Sequence, residues 1–215
     1  MKNNLLKKNR KIFLAIITLL IFVFILILVL KNDNLKLDEY MTNLVVSKVR
    51  NDNLTTFMKG ITFLGSATTL ICITLSTFLL IKNKKIPLLI TINLITVTLL
   101  NQLLKFTFQR NRPLEDFLIE ESGYSFPSGH AMVSMAFYGL LIYLIMKSTL
   151  KKRTKIIINT ILTIIILLIG FSRIYLGVHY TSDVLAGISI ATTYLMIFIS
   201  ITLSKIKLTG EKYEK

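Results

Sequence analysis

Three cationic side chains stand at the edges of apolar runs, where together they could bind an anion. Lys105 ends one run, Arg112 follows in the stretch KFTFQRNRP, and Arg173 closes a later run. Because Pro113 disfavours the α region for the residue before it, we expect Arg112 to be aimed by extended backbone. A lysine at the end of a span often only reaches for the interface. Three such cations, however, supply the charge that a dianionic phosphoryl group requires.

The stretch PSGH, residues 127–130, opens another apolar run. Ser128 is a suitable N-cap residue, and Gly129 would let another group approach the backbone. The N–H groups of a helix N-terminus also form an anion site. His130, one of two histidines in 215 residues, stands beside that site as a candidate proton donor.

The other histidine, His179, precedes Asp183 by four residues, so the two would share one face of a helix. A carboxylate there can accept the Nδ1–H bond and leave Nε2 as the reactive nitrogen. Gly177 lies between Arg173 and His179 and predicts a bend that brings them together. With the cations, this pattern indicates nucleophilic catalysis with general-acid assistance on a phosphoryl group.

The three groups resemble the signature motifs of the type 2 phosphatidic acid phosphatase family, which is related to the vanadium haloperoxidases. These motifs are Lys-x6-Arg-Pro, Pro-Ser-Gly-His and Ser-Arg-x5-His-x3-Asp, and the chain matches every position between residues 105 and 183. The resemblance implies that His179 is a nucleophile forming a phosphohistidine, that Asp183 orients it and that His130 protonates the leaving group. It also implies a reaction without a metal or other cofactor, and a phosphate site made by Lys105, Arg112, Ser128, Gly129 and Arg173.

Six apolar runs must position these groups. Mean hydropathy is +0.66, and each run is about long enough to cross a bilayer. The first run is too long for a signal-peptide core and lacks a small-residue cleavage site after it, so we expect it to be retained. The sequence predicts one all-α membrane-embedded domain over residues 1–215, with spans at about 12–30, 58–81, 86–105, 130–146, 156–172 and 183–204.

The net charge of +15 lies on one side of these spans. Alternate connections and the termini hold 17 Lys and Arg with 2 acids, whereas the other side holds 9 of each sign. This asymmetry is the positive-inside pattern and places both termini in the cytoplasm. It argues against nucleic acid as the partner, and it puts the three motifs on the extracytoplasmic face of the cell membrane.

Residues 33–56 connect the first two spans on the motif side. An apolar stripe within them predicts an amphipathic helix on the outer leaflet, bracing the bundle or gating substrate. The stripe comprises Leu37, Tyr40, Met41, Leu44, Val45 and Val49. In the third span, polar side chains predict bonds between helices, and a few of them could line a pocket instead; they are Thr91, Asn93, Thr96, Thr98, Asn101 and Gln102.

One further stretch could hold a metal. Residues 115–121 contain four acids but no histidine, so a solvated loop is the expected interpretation; the acids are Glu115, Asp116, Glu120 and Glu121. The single cysteine, Cys72, lies within an apolar run and excludes an intrachain disulfide.

We therefore expect a membrane lipid phosphatase that acts on a lipid phosphate or diphosphate. Undecaprenyl pyrophosphate, a phosphatidylglycerol phosphate and phosphatidic acid all remain open, as does the oligomeric state. Two alternatives are a vanadate-dependent haloperoxidase-like enzyme and a non-catalytic lipid binder or transporter. No span carries an ionisable residue at its middle, which disfavours a transporter.

Overall fold

The structure, a computed structural model, describes residues 2–32, 35–113 and 117–202. These residues form helices without any strand, as the apolar runs predict. In chain order the helices are α1 (Lys2–Lys31), α2 (Lys36–Leu44) with a π-helical turn (Val45–Val49), α3 (Asp52–Phe63), α4 (Ala67–Leu80), α5 (Lys85–Phe108), α6 (Gly129–Lys147), α7 (Lys152–Tyr175) and α8 (Thr181–Thr202).

Among the described residues, five helices are long and apolar enough to cross a membrane, and α3 with α4 forms a sixth span if the two are taken as one. The predicted bounds of the last four spans agree with α5 to α8 within a few residues; residues 203–204 lie outside the described part. The all-α, multi-pass architecture is confirmed. The charged tail that contributes to the orientation argument also lies outside the described residues.

The second span differs from its prediction because it is bent rather than straight. It begins at Asp52 instead of residue 58, and α3 and α4 meet at an angle of 47°. Ser66 starts the new helix by accepting a hydrogen bond from the Thr69 N–H at 3.3 Å. Gly65 occupies the break, where a Cβ atom would lie only 2.8 Å from Ile169 Cγ2. The hydropathy of the sequence does not by itself reveal such a break within a span.

The main hydrophobic core is formed by residues of α4, α5, α6, α7 and α8. Its fully buried side chains include Phe137, Leu140 and Ile169. On the far side, α1 packs along α8, where the hydroxyls of Thr18 and Thr193 are 2.7 Å apart. A lipid-facing helix thus contacts its neighbour partly through small polar groups.

Only some polar residues of α5 bond between helices. Asn93 Nδ2 donates to Ala136 O at 3.1 Å, and Asn101 Nδ2 donates to Pro127 O at 3.2 Å. Thr91 and Thr98 do not bond between helices, because their hydroxyls bond to the carbonyl four residues earlier in the same helix. The short threonine hydroxyl reaches a carbonyl of its own helix more easily than a group on a neighbouring helix. Thr98 instead lines the cavity described below, as do Asn101 and Gln102. The Thr96 hydroxyl bonds to its own helix and also to the Tyr194 side chain of α8, as predicted.

The outer segment is also divided. Residues 33–34 lie outside the described part, α2 and its π-helical turn end at Val49, and residues 52–56 belong to α3. Within the expected apolar stripe only Val45 is fully buried, whereas Leu37 and Tyr40 are exposed. The buried face carries Asp38 instead, which is 1% exposed. A charge can occupy that position only because it has partners there, as described below.

Candidate active site

The ends of four helices converge at one end of the bundle and carry the three motifs. The α5 helix ends at Phe108, α6 begins at Gly129, α7 ends at Tyr175 and α8 begins at Thr181. The turn after α7 uses Gly177 at φ +76°, a left-handed conformation that glycine adopts without strain. The fold therefore brings together groups that lie up to 78 residues apart in the sequence.

His179 lies in the short connection before α8 and is buried at one wall of a cavity. Its Nδ1 is 3.4 Å from Asp183 Oδ2 and 3.2 Å from Ser125 Oγ. Its Nε2 is 3.3 Å from Arg112 Nη1. Since a guanidinium can only donate, Nε2 must accept, which leaves the proton on Nδ1 facing the carboxylate. The lone pair of the imidazole is then on Nε2, the nitrogen beside the cavity.

His179 and Asp183 do not lie on one face of a helix, although their spacing in the sequence predicted it. His179 precedes α8, and Asp183 lies in its first turn. The Asp183 carboxylate folds back, and Oδ2 accepts the Tyr180 N–H at 3.0 Å. The contact predicted from the sequence is present, but the turn before the helix makes it.

Burial lowers the pKa of His179 from 6.5 to about 4. The positive charges of Arg173 and Arg112 act in the same direction, whereas the hydrogen bond and charge of Asp183 oppose it. His179 is therefore neutral at pH 7, which is the form in which an imidazole can act as a nucleophile.

Two of the three cations line the cavity. Arg112 is held by three backbone carbonyls, at 2.8 Å from Val178 O and 2.9 Å from Gly123 O and Ser122 O. Burial lowers the pKa of Arg112, but the charges of Glu121 and Asp183 counter this. Lys105 Nζ donates to the Tyr124 carbonyl. Both side chains are thus fixed by the loop that follows α5.

Arg173, the third cation, lies behind the cavity wall and is 1% exposed. It donates to Thr62 Oγ1 at 2.6 Å and forms an ion pair with Glu121, a cavity-lining residue. Glu121 also lies 3.7 Å from Arg112. Burial would raise the pKa of Glu121, but the charge and hydrogen bond of Arg173 hold it below its usual range.

The N-terminus of α6 faces the same cavity through Gly129 and His130. Ser128 occupies the N-cap position, but its hydroxyl makes no cap bond and has no hydrogen-bond partner within the described residues. The prediction that Ser128 is the N-cap residue is confirmed, but the helix start gains no side-chain hydrogen bond from it. A Cβ on Gly129 would lie 3.0 Å from Asn101 Oδ1, so a larger residue would disturb that amide.

The cavity has a volume of about 680 Å³ and is charged at one end and apolar at the other. The charged end holds the two histidines with Lys105, Arg112 and Glu121. The apolar end runs between α4, α5 and α6 and is lined by Leu70, Ile71, Leu94, Ile95, Leu99 and Val133. This shape suits a molecule with an anionic head and a hydrocarbon tail.

The acidic stretch does not behave as a solvated loop throughout. Glu121 forms ion pairs inside the site, Glu120 is exposed, and residues 114–116 lie outside the described part. Within the described residues, no group of three or more His, Cys, Asp and Glu side chains is arranged to hold a metal ion.

Sequence reasoning missed several residues around the site. Arg110 lies inside the first motif but occupies one of its variable positions, and Asp38 lies 72 residues earlier. Ser125 donates to the Asp183 carboxylate, and Ser182 bonds to both Asp38 and Arg110. The one available sequence signal was the presence of Arg110 two residues before Arg112. The sequence did not show which carboxylates Arg110 would contact.

The sequence model of the PAP2 superfamily matches residues 86–207, which contain all three motifs. The chain belongs to this superfamily. The family resemblance predicted from the motifs is thereby confirmed, and the fold places the shared motifs at one end of the bundle.

Relatives extend this assignment. The PAP2 chain is 37% identical over 147 residues to phosphatidylglycerophosphatase B of Bacillus subtilis strain 168, covering 66% of this chain and 72% of that protein. The crystal structure of a transmembrane PAP2-type phosphatidylglycerolphosphate phosphatase from Bacillus subtilis aligns with a TM-score of 0.82 and 28% identity, covering 90% of this chain and 98% of the other.

The crystal structure of Aquifex aeolicus LpxE aligns with a TM-score of 0.63 and 25% identity, covering 77% of this chain and 98% of that one. The family and these relatives identify a multi-pass membrane lipid phosphatase. They support the phosphatase interpretation over the haloperoxidase and lipid-transporter alternatives.

Proposed function

We propose that the protein removes a phosphate from the headgroup of a membrane lipid through a phosphohistidine on His179. The observation that carries this proposal is the orientation of the imidazole. Nδ1 faces Asp183, while Nε2 accepts from Arg112 at the cavity wall. A phosphoryl group held by the cations at the charged end of the cavity would lie within reach of that nitrogen.

The reaction has two steps. In the first, Nε2 of His179 attacks phosphorus, the bond from phosphorus to the leaving oxygen breaks, and His130 gives its proton to that oxygen. In the second, the oxygen of a water molecule attacks phosphorus while His130 accepts a proton from that water, and the bond from phosphorus to Nε2 of His179 breaks, which releases inorganic phosphate and restores the free histidine. Lys105, Arg112 and the N-terminus of α6 stabilise the charge on the phosphoryl oxygens, together with Arg173 once Glu121 has moved aside.

Within this scheme Ser128 and Gly129 have different functions. The Ser128 hydroxyl is buried and has no partner among the residues that the structure describes, and it would donate to a phosphoryl oxygen. Gly129 keeps the backbone at the start of α6 open to the anion. Asp183 keeps the proton on Nδ1 and stabilises the imidazole as it gains the phosphoryl group.

The substrate we favour is a phosphatidylglycerol phosphate, since the relatives that are 37% and 28% identical to this chain bear that activity in their names. Phosphatidic acid and undecaprenyl pyrophosphate would fit the same combination of an anionic end and an apolar end. The reaction is proposed to take place at the extracytoplasmic face, which follows from the charge asymmetry of the sequence. The three cations take the place of a metal in neutralising the phosphate.

The test is phosphate release from a panel of the three lipids by purified wild-type protein and His179→Ala. We expect release from at least one lipid by the wild type and none by the variant. A radiolabelled phosphate should remain on the wild-type protein after rapid quenching, in the alkali-stable and acid-labile form that is typical of phosphohistidine. Turnover by His179→Ala would overturn the proposal.

Metal independence is tested in the same assay. We expect a chelator to leave the rate unchanged and vanadate to inhibit by occupying the phosphate position. Loss of activity in chelator that Mg²⁺ restores would contradict the proposal and would point back to the acidic stretch.

A further inference from the structure

A chain of buried charges connects the outer helix α2 to the histidine. Asp38, Arg110 and Asp183 belong to three different elements, namely α2, the loop after α5 and the first turn of α8. Their exposed fractions are 1%, 4% and 0%. Burying three charges costs free energy that ion pairing often only offsets, so stability by itself is a weak reason for their presence.

Arg110 is clamped between the two carboxylates. Its Nη1 donates to Asp183 Oδ1 at 2.7 Å, and its Nη2 donates to Asp38 Oδ2 at 2.9 Å. The ring centroid of Tyr180, the residue after His179, lies 4.1 Å from the guanidinium carbon of Arg110. Burial would lower the pKa of Arg110, but the charges and hydrogen bonds of the two carboxylates raise it, so the group stays ionised.

Asp38 is fixed just as firmly from the other direction. Its Oδ1 accepts the Ser182 N–H at 2.8 Å, and its Oδ2 accepts the Ser182 hydroxyl at 2.6 Å. The same hydroxyl accepts from Arg110 Nη1 at 2.7 Å. The start of α8, which carries Asp183, is therefore held both by the arginine and directly by α2.

The two carboxylate oxygens of Asp183 have different hydrogen-bond donors. Oδ1 receives Arg110, whereas Oδ2 faces His179 Nδ1 and also accepts from Ser125 and the Tyr180 N–H. Because each oxygen has its own donors, the carboxylate cannot rotate without breaking a buried hydrogen bond. Its orientation determines where the imidazole points.

We propose that Asp38 and Arg110 are positioning residues that hold Asp183, and through it His179, in the orientation needed for attack on phosphorus. This inference rests on the proposed function, in which His179 is the nucleophile. Arg110 has a second effect, since it withdraws part of the Asp183 negative charge from the imidazole.

That electrostatic effect gives a signature that loss of packing would not produce. The charged groups that face His179 are Asp183 with Arg110 behind it, Arg112, and Arg173; Lys105, Glu121 and His130 belong to the same charged end. Removing only the Arg110 charge leaves Asp183 to stabilise the imidazolium more strongly. The acid limb of the pH–rate profile should therefore move to higher pH in Arg110→Gln.

The other two variants should behave differently. Arg110→Lys keeps the charge but cannot reach both carboxylates with one planar fork, so kcat should fall while the acid limb stays in place. Asp38→Asn leaves Arg110 paired with Asp183 alone, so kcat should fall while the acid limb stays or moves to lower pH. Glu39→Gln is the matched control, since it makes the same chemical change on the exposed neighbour of Asp38.

The experiment measures kcat, KM and the pH profile of the purified full-length protein with nitrophenyl phosphate. We expect kcat to fall on the order of 10²-fold in Arg110→Gln, Arg110→Lys and Asp38→Asn, because a small misplacement of reacting groups has an effect of that size. KM should stay near the wild-type value, since the phosphate-binding side chains are untouched. Glu39→Gln should match the wild type.

Two results would overturn the inference. One is that Asp38→Asn is as active as Glu39→Gln, and the other is that Arg110→Gln loses activity with no movement of its acid limb. If Arg110→Gln does not fold, Asp38→Asn and Arg110→Lys decide by their kcat and KM. His179→Ala, assayed in parallel, separates this outcome from failure of the proposed function, because only that variant tests the nucleophile itself.

Discussion

At the scale of single residues, the environment of His179 determines when it can act. Burial is the main reason that its pKa falls from 6.5 to about 4. The imidazole therefore stays neutral throughout the range from pH 7 down to pH 5, where an ordinary histidine would become charged. In the unfolded chain it would take up a proton below about pH 6.5, so its contribution to folding stability falls as pH falls from 6.5 towards 4.

The first prediction concerns this pKa. The fraction of active enzyme should be half lost near pH 4, not near pH 6.5. An acylating reagent that attacks only neutral imidazole measures this without substrate, whose own phosphate ionises near pH 6. In His130→Gln the reagent has one histidine left to modify. Half-maximal modification near pH 6.5 would show that burial does not lower the pKa of His179.

A second prediction separates the two histidines. His130→Ala should reduce the rate most for a lipid monophosphate, whose alkoxide leaving group is strongly basic and needs a proton. The loss should be smaller for a diphosphate and smallest for nitrophenyl phosphate. General-acid assistance is worth about 10²–10⁴-fold for a poor leaving group. If kcat/KM falls by the same factor for all three substrates, His130 only binds phosphate.

Glu121 motivates a third prediction, because it pairs with the cations that a phosphate would need. Its side chain is 26% exposed and contacts Arg173 and Arg112. Glu121→Gln should lower the vanadate concentration needed for half inhibition by up to about fivefold, since a partly exposed ion pair is worth ~0.2–1 kcal/mol. Glu120→Gln, on an exposed neighbour, is the control. Weaker inhibition in Glu121→Gln would instead mean that Glu121 positions Arg173 for the anion.

At the scale of helices, the bend between α3 and α4 shapes the site. Gly65 stands at the break and lines the cavity. A Cβ there would lie 2.8 Å from Ile169 Cγ2, 2.9 Å from Ser134 Oγ and 3.2 Å from His130 Cδ2. The close approach of this turn to α6 and α7 thus depends on the missing side chain, and so does the space around His130.

The fourth prediction compares two glycines. Gly65→Ala should lower the free energy of unfolding by about 1–3 kcal/mol through overpacking and should reduce activity by displacing His130. Gly60→Ala, within α3, has no atom within 4 Å of the added Cβ and should be neutral or stabilising by up to about 1 kcal/mol. Thermal unfolding and lipid phosphatase assays measure both effects. Equal behaviour of the two variants would contradict the importance of the bend.

At the scale of the whole molecule, the charge asymmetry of the sequence predicts which side of the membrane the site faces. Taking α3 and α4 as one span gives six crossings, which return the chain to the side where it began. The motifs all lie at the opposite end from the α6–α7 connection at residues 148–151. A lipid headgroup would therefore be processed at one surface while its tail stays among α4, α5 and α6.

The last prediction concerns this orientation. In a Cys72→Ala background, Glu120→Cys should react with an impermeant thiol reagent in intact cells, whereas Lys151→Cys should react only after the membrane is opened. Both positions are exposed, so access depends on the side of the membrane and not on burial. Labelling of Lys151→Cys but not Glu120→Cys in intact cells would reverse the proposed topology.

The sequence by itself determined the family and the class of fold, and it supplied the residues of the candidate site. Apolar runs reveal membrane helices because the bilayer imposes one length on each of them. Each motif is a short run of consecutive residues at one helix end or across the connection from α7 to α8, so its pattern is visible in the sequence. Lys105, His130 and His179 could be recognised from such short stretches.

Only the tertiary structure decided what stands behind those residues. Asp38 and Ser182 are 144 residues apart, and Glu121 and Arg173 are 52 apart, yet each pair is in contact. Periodicity describes neighbours on one helix and cannot show which distant side chains meet when helices pack. A buried charge such as Asp38 even contradicts the apolar pattern of its own helix, because its free energy depends on partners that the folded chain alone brings to it.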